Sequence, residues 1–256
     1  MIFVDYALIG LLAGFLAGYL GIGGGLLIVP ALSWLFARDA AIADFAVHAA
    51  VATSLATMLP TGLSSILAHH RKQAIAWGVV RSLAPGLAAG AVLGAVAATL
   101  LSTGTLAAVF GVYAALAGLQ LLSGKQTRGE KPLPGQIASG ATGVLIGAVS
   151  SMVGIGGGSM TVPWLLWHGR PAGVAVATAA ACGYPIALSA TLTFMLLGQQ
   201  ADALSSYIQL PALAGVAIFS MLAAPLGAWA VHQSAPVMVQ RLFGVFLLLV
   251  AWRMLF

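Results

Sequence analysis

The chain has 256 residues, 61% of them hydrophobic and 6% charged, with a formal net charge of +5. A soluble domain carries about 25% charged residues, so ten Lys/Arg and five Asp/Glu cannot clothe a soluble surface of this size. The composition excludes a soluble enzyme and specifies an all-α polytopic membrane protein. The basic residues fall in short loops, where the positive-inside rule accounts for them without a nucleic-acid partner. Cys182 is the single cysteine, which rules out an intrachain disulfide or a cysteine metal cluster; no metal or cofactor is expected.

In chain order, eight apolar stretches are predicted: 6–36, 45–68, 78–101, 104–122, 136–168, 172–197, 207–231 and 236–255. Asp5 and the lack of a basic n-region predict that the first is a retained membrane segment rather than a cleaved signal. Crossing about 30 Å of hydrocarbon takes about 20 residues. Six stretches are near that length. The first and fifth are far longer, and each contains Gly-Ile-Gly-Gly-Gly, at 21–25 and 154–158, followed five residues later by Val-Pro at Pro30 and Pro163. Each glycine disfavours a helix by about 1 kcal/mol relative to Ala. The long stretches are therefore predicted to be pairs of half-helices broken at the glycines.

The halves of the chain repeat. The glycine motifs stand at an offset of 133, as do Phe110-Gly111-Val112 and Phe243-Gly244-Val245; Ala50–Thr53 and Ala175–Thr178 match at 125, as do Pro60 and Pro185. The difference places a loop about eight residues longer within 37–48 of the first half. The predicted organisation is an N-terminal repeat 1–124, a polar connector 125–135 and a C-terminal repeat 136–256, each repeat holding four apolar segments. Such duplication marks many secondary transporters. If each long segment is a hairpin with its tip at the glycines, the repeats are inverted. Arg71, Lys72, Arg81, Lys125, Arg128, Lys131, Arg170 and Arg241 then share one side, and only Arg38 and Arg253 lie on the other. The positive-inside rule makes the first side, with the connector, cytoplasmic and puts both termini outside.

The paired motifs Gly21–Pro30 and Gly154–Pro163, the Ala-Thr segments after them and the closing Phe-Gly-Val with Arg253-Met254-Leu255 resemble the TauE/SafE family of bacterial permeases. The resemblance covers nearly the whole chain. It implies a multi-pass plasma-membrane exporter of sulfite or an organosulfonate, and leaves the individual anion open.

Site candidates follow from what an anion needs. Free N–H groups and the positive dipole end at a helix N-terminus replace its water, so Gly23, Gly24 and Gly25 of the first break and Gly156, Gly157 and Gly158 of the second are candidates. A purely packing role for the glycines is the competing reading. Ser159 stands where the first copy has Leu26, and Thr161 where it has Ile28, making the second break the more polar; Ser159 is a ligand donor or a helix cap. Thr53, Ser54 and Thr178 are further candidates, although intramembrane hydroxyls commonly bond backbone or neighbouring helices. Tyr184, beside the kinking Pro185, offers a hydroxyl to a cavity. Arg81 either draws anions in or snorkels to the interface. His48 could relay protons, but a satisfied interfacial histidine is the simpler reading. No Asp or Glu lies well inside a segment, which favours flux driven by the membrane potential, about 2.3 kcal/mol per charge per 100 mV. The expected partners are a small anionic substrate and the lipid bilayer. The alternatives are a transporter of another small carboxylate or anion, and an intramembrane serine hydrolase built on Ser159 with His168 or His232.

Overall fold

The computed structural model describes residues 2–20, 24–124, 129, 132–198, 207–230 and 236–256. Gly21, Ile22 and Gly23 of the first motif, most of the connector, Asp202 and His232 lie outside the described residues. Ten α-helices are described: α1 (Ile2–Leu20), α2 (Gly25–Phe36), α3 (Ala46–Arg71), α4 (Trp77–Leu100), α5 (Thr103–Ser123), α6 (Gln136–Val153), α7 (Gly158–Trp167), α8 (Ala172–Gly198), α9 (Leu210–Ala230) and α10 (Pro236–Leu255). Seven of them, α3 to α6 and α8 to α10, are long and apolar enough to cross a membrane. The predicted longer loop of the first half is present as turns and a short 3-10 helix, Ala43–Phe45.

Both long stretches break at the glycines, but unequally. α1 and α6 have 19 and 18 residues, about 27–28 Å at 1.5 Å per residue, so each is the longer limb of its pair. α2 and α7 have 12 and 10 residues, about half a bilayer. The chain doubles back at each break. The Cβ position of Gly24 lies 3.3 Å from Ala13, and that of Gly157 lies 3.5 Å from Ile146. In a continuous helix these pairs would stand about 16 Å apart. At the second break the reversal rests on two left-handed residues, Gly154 at φ +75° and Gly157 at φ +71°, a conformation in which glycine avoids the Cβ clash. The Ile155 N–H closes back on the Ser150 carbonyl at 2.9 Å.

Helix packing exchanges partners between the two halves. α1 lies on α9, α4 on α6, α5 on α10 and α3 on α8. Small residues make the first two contacts close: a Cβ at Gly86, Gly90 or Gly94 of α4 would fall on the carbonyls of Gly140, Val144 or Ala148 of α6. Backbones approach this way where lipid provides no hydrophobic drive between helices. The paired numbers rise together, so α4 and α6 are parallel. They also rise together between α1 and α9, from Tyr6 with Gly215 to Phe15 with Gly227. Between α5 and α10 they run oppositely, Gly111 against Leu255 and Gly118 against Gly244.

These contacts sort the loops onto two faces. The starts of α4 and α6 are adjacent, and Gly129 of the connector packs on Trp167. Arg71, Lys72, Arg81 and Arg170 therefore share the connector's face, with Arg241 near the start of α10. On the opposite face, Thr103 Oγ1 donates to the Asp44 carbonyl at 2.6 Å. Arg38, Arg253, the start of α1 and the end of α10 lie there.

Candidate functional site

The two glycine breaks meet at the crossing of α3 and α8. A Cβ on Gly25, the first residue of α2, would stand 2.5 Å from the Gly154 carbonyl oxygen, 2.7 Å from Met58 Cε and 2.9 Å from Ile155. A Cβ on Gly156 would lie 3.1 Å from Met58 Sδ, and one on Gly183 of α8 would lie 2.5 Å from the Gly156 carbonyl. Glycine is required here because the backbones of α2, the second break and α8 converge, with the Met58 side chain of α3 between them. The N-termini of both short helices, α2 and α7, thus open toward one region. Their first amides have no intrahelical acceptor, and their dipoles present about half a positive charge each. The opposing carbonyl of Gly154 is taken up by Ser54, whose hydroxyl donates to it at 2.8 Å.

Polar side chains gather at the second break. Ser150 on α6 and Thr161 on α7 are fully buried, and neither hydroxyl has a hydrogen-bond partner. Ser150 Oγ lies 3.4 Å from the Cβ position of Gly157, the residue capping α7. The Thr161 N–H donates to the Gly157 carbonyl at 2.8 Å, which sets this residue one turn into α7, where its Cβ leans back toward the helix start. Ser159 is half-buried, and its Oγ is 2.6 Å from the Tyr113 hydroxyl of α5. At the first break the corresponding Leu26 and Ile28 are buried apolar residues. A concentration of hydroxyls and amides with no acid suits a small anion.

The other candidates are distributed differently. Thr53 and Thr178, both fully buried, make matching bonds between the halves. Thr178 Oγ1 accepts from the Ala76 N–H ahead of α4 at 3.0 Å. Thr53 Oγ1 accepts from the Gln209 N–H ahead of α9 at 3.0 Å and reaches the Tyr207 carbonyl at 3.4 Å. Each hydroxyl therefore ties one half's third helix to the start of the other half's fourth. Tyr184 is half-buried with its ring 3.7 Å from the Cβ position of Gly62 on α3. Arg81 is exposed. Gly23 lies outside the described residues.

Among the described residues, Arg170 lines a cleft. On the connector's face, a cleft of about 360 Å³ lies between the starts of α4 and α6, and Ser82, Gln136, Ser139 and Arg170 supply its polar side chains. In the sequence, Arg170 counts only as a marker of sidedness. Ser150 has no special spacing there, and Tyr113 stands out only by comparison of the halves. The signal for Tyr113 was available: its counterpart at an offset of 133 is Phe246, so the hydroxyl is peculiar to one half.

A serine-hydrolase arrangement is not assembled between Ser159 and His168. Ser159 pairs with Tyr113, while His168 caps the far end of α7 with Nδ1 2.7 Å from the Trp164 carbonyl. His48 is buried; its Nε2 lies 3.1 Å from both the Ala98 and Leu101 carbonyls, and its ring stacks on Tyr207. Among the described residues, no group of three or more His, Cys, Asp or Glu is placed to hold a metal.

Residues 6–254 match the family described as sulfite exporter TauE/SafE. The chain is 34% identical over 254 residues to a probable membrane transporter protein of Haemophilus influenzae, covering 96% of both chains. It is 28% identical to the probable membrane transporter protein YunE of Bacillus subtilis, over 77% of this chain and 80% of that one. A probable membrane transporter protein of Xylella fastidiosa is 31% identical over 63% of this chain and 61% of its own length. With a family match over almost its whole length and helices suited to spanning a bilayer, the chain belongs to the TauE/SafE sulfite exporter family and is a multi-pass membrane transporter.

Proposed function

We propose that this transporter exports a small sulfur-containing anion, sulfite or an organosulfonate, and binds it at the glycine breaks. The observation that carries the reading is the pair of buried, unpartnered hydroxyls, Ser150 and Thr161, at the N-terminus of α7. A buried hydroxyl without a partner is unfavourable by about 1–3 kcal/mol, and a bound oxyanion would relieve that. Gly24, Gly25, Gly156, Gly157 and Gly158 provide backbone amides at or beside the two helix starts, and Ser159 a further hydroxyl. Tyr184, Ser54, Thr53 and Thr178 fix the surrounding helices in this reading.

The mechanism is alternating access between inverted repeats, 1–124 and 136–256. It is supported by the antiparallel course of α5 and α10, by the two matching reversals and by the exchanged helix pairs. The richer basic face, with connector 125–135, is cytoplasmic under the positive-inside rule, so both chain ends face outward across the plasma membrane. Anions enter past Arg170, and the inside-negative potential drives a charged substrate out.

Purified protein in lipid nanodiscs tests the reading by thermal unfolding against sulfite, methanesulfonate, acetate and chloride. Sulfite or methanesulfonate is expected to raise Tm with concentration, since a ligand that binds only the folded state stabilises it by mass action. Proteoliposomes loaded with sulfite are expected to lose it faster than protein-free vesicles. No Tm shift together with no efflux would overturn the reading.

A further inference from the structure

We propose that the cleft between α5 and α6 holds the alkyl tail of an amphiphilic anion, an alkanesulfonate whose sulfonate sits at the second glycine break. The inference rests on the anion site proposed above and adds the substrate's apolar part. The cleft has a volume of about 420 Å³, within the range of about 300–1,000 Å³ of small-molecule sites. Its walls are Thr105, Ala108, Val109, Val112 and Leu116 of α5 and Val149 and Val153 of α6. Tyr113 lines the same cleft and brings its hydroxyl to Ser159 Oγ at 2.6 Å. Val149 and Val153 directly precede Ser150 and Gly154 in the chain, so the apolar wall runs into the polar break. One end is thus apolar, and the other holds hydroxyls and the positive end of α7.

The acyl chain of a membrane lipid also fits the apolar walls, which reach Thr105 near the start of α5; what sets the proposed occupant apart is a charged group at mid-depth. Tyr113 lies midway along α5, about 15 Å from either end of the helix. A phospholipid keeps its headgroup at the interface, outside the hydrocarbon core of about 30 Å. A molecule with its charged group at mid-depth and its tail in the cleft is in transit. The polar end also occurs in one half only: at an offset of 133, Tyr113 corresponds to Phe246 and Ser159 to Leu26. The cleft therefore gives the transporter a single tail site in spite of the duplicated chain.

The test is a series of linear alkanesulfonates, methane to hexane, titrated against the protein in phosphatidylcholine nanodiscs. The Kd is expected to fall about fourfold per added methylene until the cleft is full. Val109→Trp, which fills the cleft, is expected to flatten the series and leave the sulfite response intact; Ala108→Leu serves if Val109→Trp does not fold. A Kd independent of chain length, with sulfite still binding, overturns the tail site alone and leaves the anion site standing. A chain-length dependence that survives in the filled variant assigns it to partitioning into the bilayer and overturns the proposal. No response to sulfite or to any sulfonate overturns the anion site as well.

Discussion

At the scale of single residues, the informative feature is what the hydroxyls do. Ser54 and Thr57 are satisfied, by the Gly154 carbonyl and by the Ser54 carbonyl respectively, whereas Ser150 and Thr161 are not. Removing an unsatisfied buried hydroxyl takes away a desolvation penalty and no bond. Ser150→Ala and Thr161→Val are therefore expected to keep or slightly raise Tm while abolishing the shift caused by sulfite, as read by thermal unfolding. Lost stability with an intact sulfite response would mean that the two hydroxyls are structural. Thr53 and Thr178 lead to the opposite expectation. Thr53→Val or Thr178→Val leaves a backbone N–H ahead of α9 or α4 without its acceptor, at about 1–3 kcal/mol each. The two sites share no bond partner, so the double variant should lose close to the sum, measured by denaturant unfolding in micelles.

At the scale of elements, each long segment is divided into a longer helix and a short one, α1 with α2 and α6 with α7. Sequence length showed that 6–36 and 136–168 were too long to be single spans, and three adjacent glycines showed where they break. The unequal division was not legible, because it depends on partners elsewhere in the chain. The longer limbs α1 and α6 are held by α9 and α4, whose small residues accept their backbones. α4 with α6 is the most exacting of these contacts. Gly90→Val would drive a branched side chain into the Val144 carbonyl, and overpacking of this kind costs about 1–3 kcal/mol or more. Its expected outcome is a large fall in Tm and loss of flux together. By contrast Gly78→Ala, on the same helix with open space at its Cβ position, is expected to leave both unchanged.

At the scale of the molecule, charge and packing give the same sidedness. Arg71, Lys72, Arg81, Arg170 and Arg241 share a face, and Arg38 and Arg253 lie opposite. Single cysteines in a Cys182→Ala background check the orientation. Gly104→Cys and Gln136→Cys are both exposed and stand on opposite faces. A membrane-impermeant maleimide added to intact cells is expected to label Gly104→Cys and spare Gln136→Cys. Labelling of Gln136→Cys alone would reverse the direction of transport drawn above.

The sequence by itself determined the membrane class, the helix boundaries to within a few residues, the duplication and the position of both breaks. Each of these is a local property, set by hydropathy, by length against bilayer thickness or by glycine's weak helix preference. The tertiary structure decided which hydroxyls are free. Nothing in the local sequence separates Thr178, which accepts the Ala76 N–H from a residue 102 positions away, from Thr161, which finds no partner. It also decided that Tyr113 reaches Ser159 and that Arg170 lines a cleft. These depend on how the two halves interlock, and hydrogen-bond partners far apart in the chain are chosen only when the helices pack.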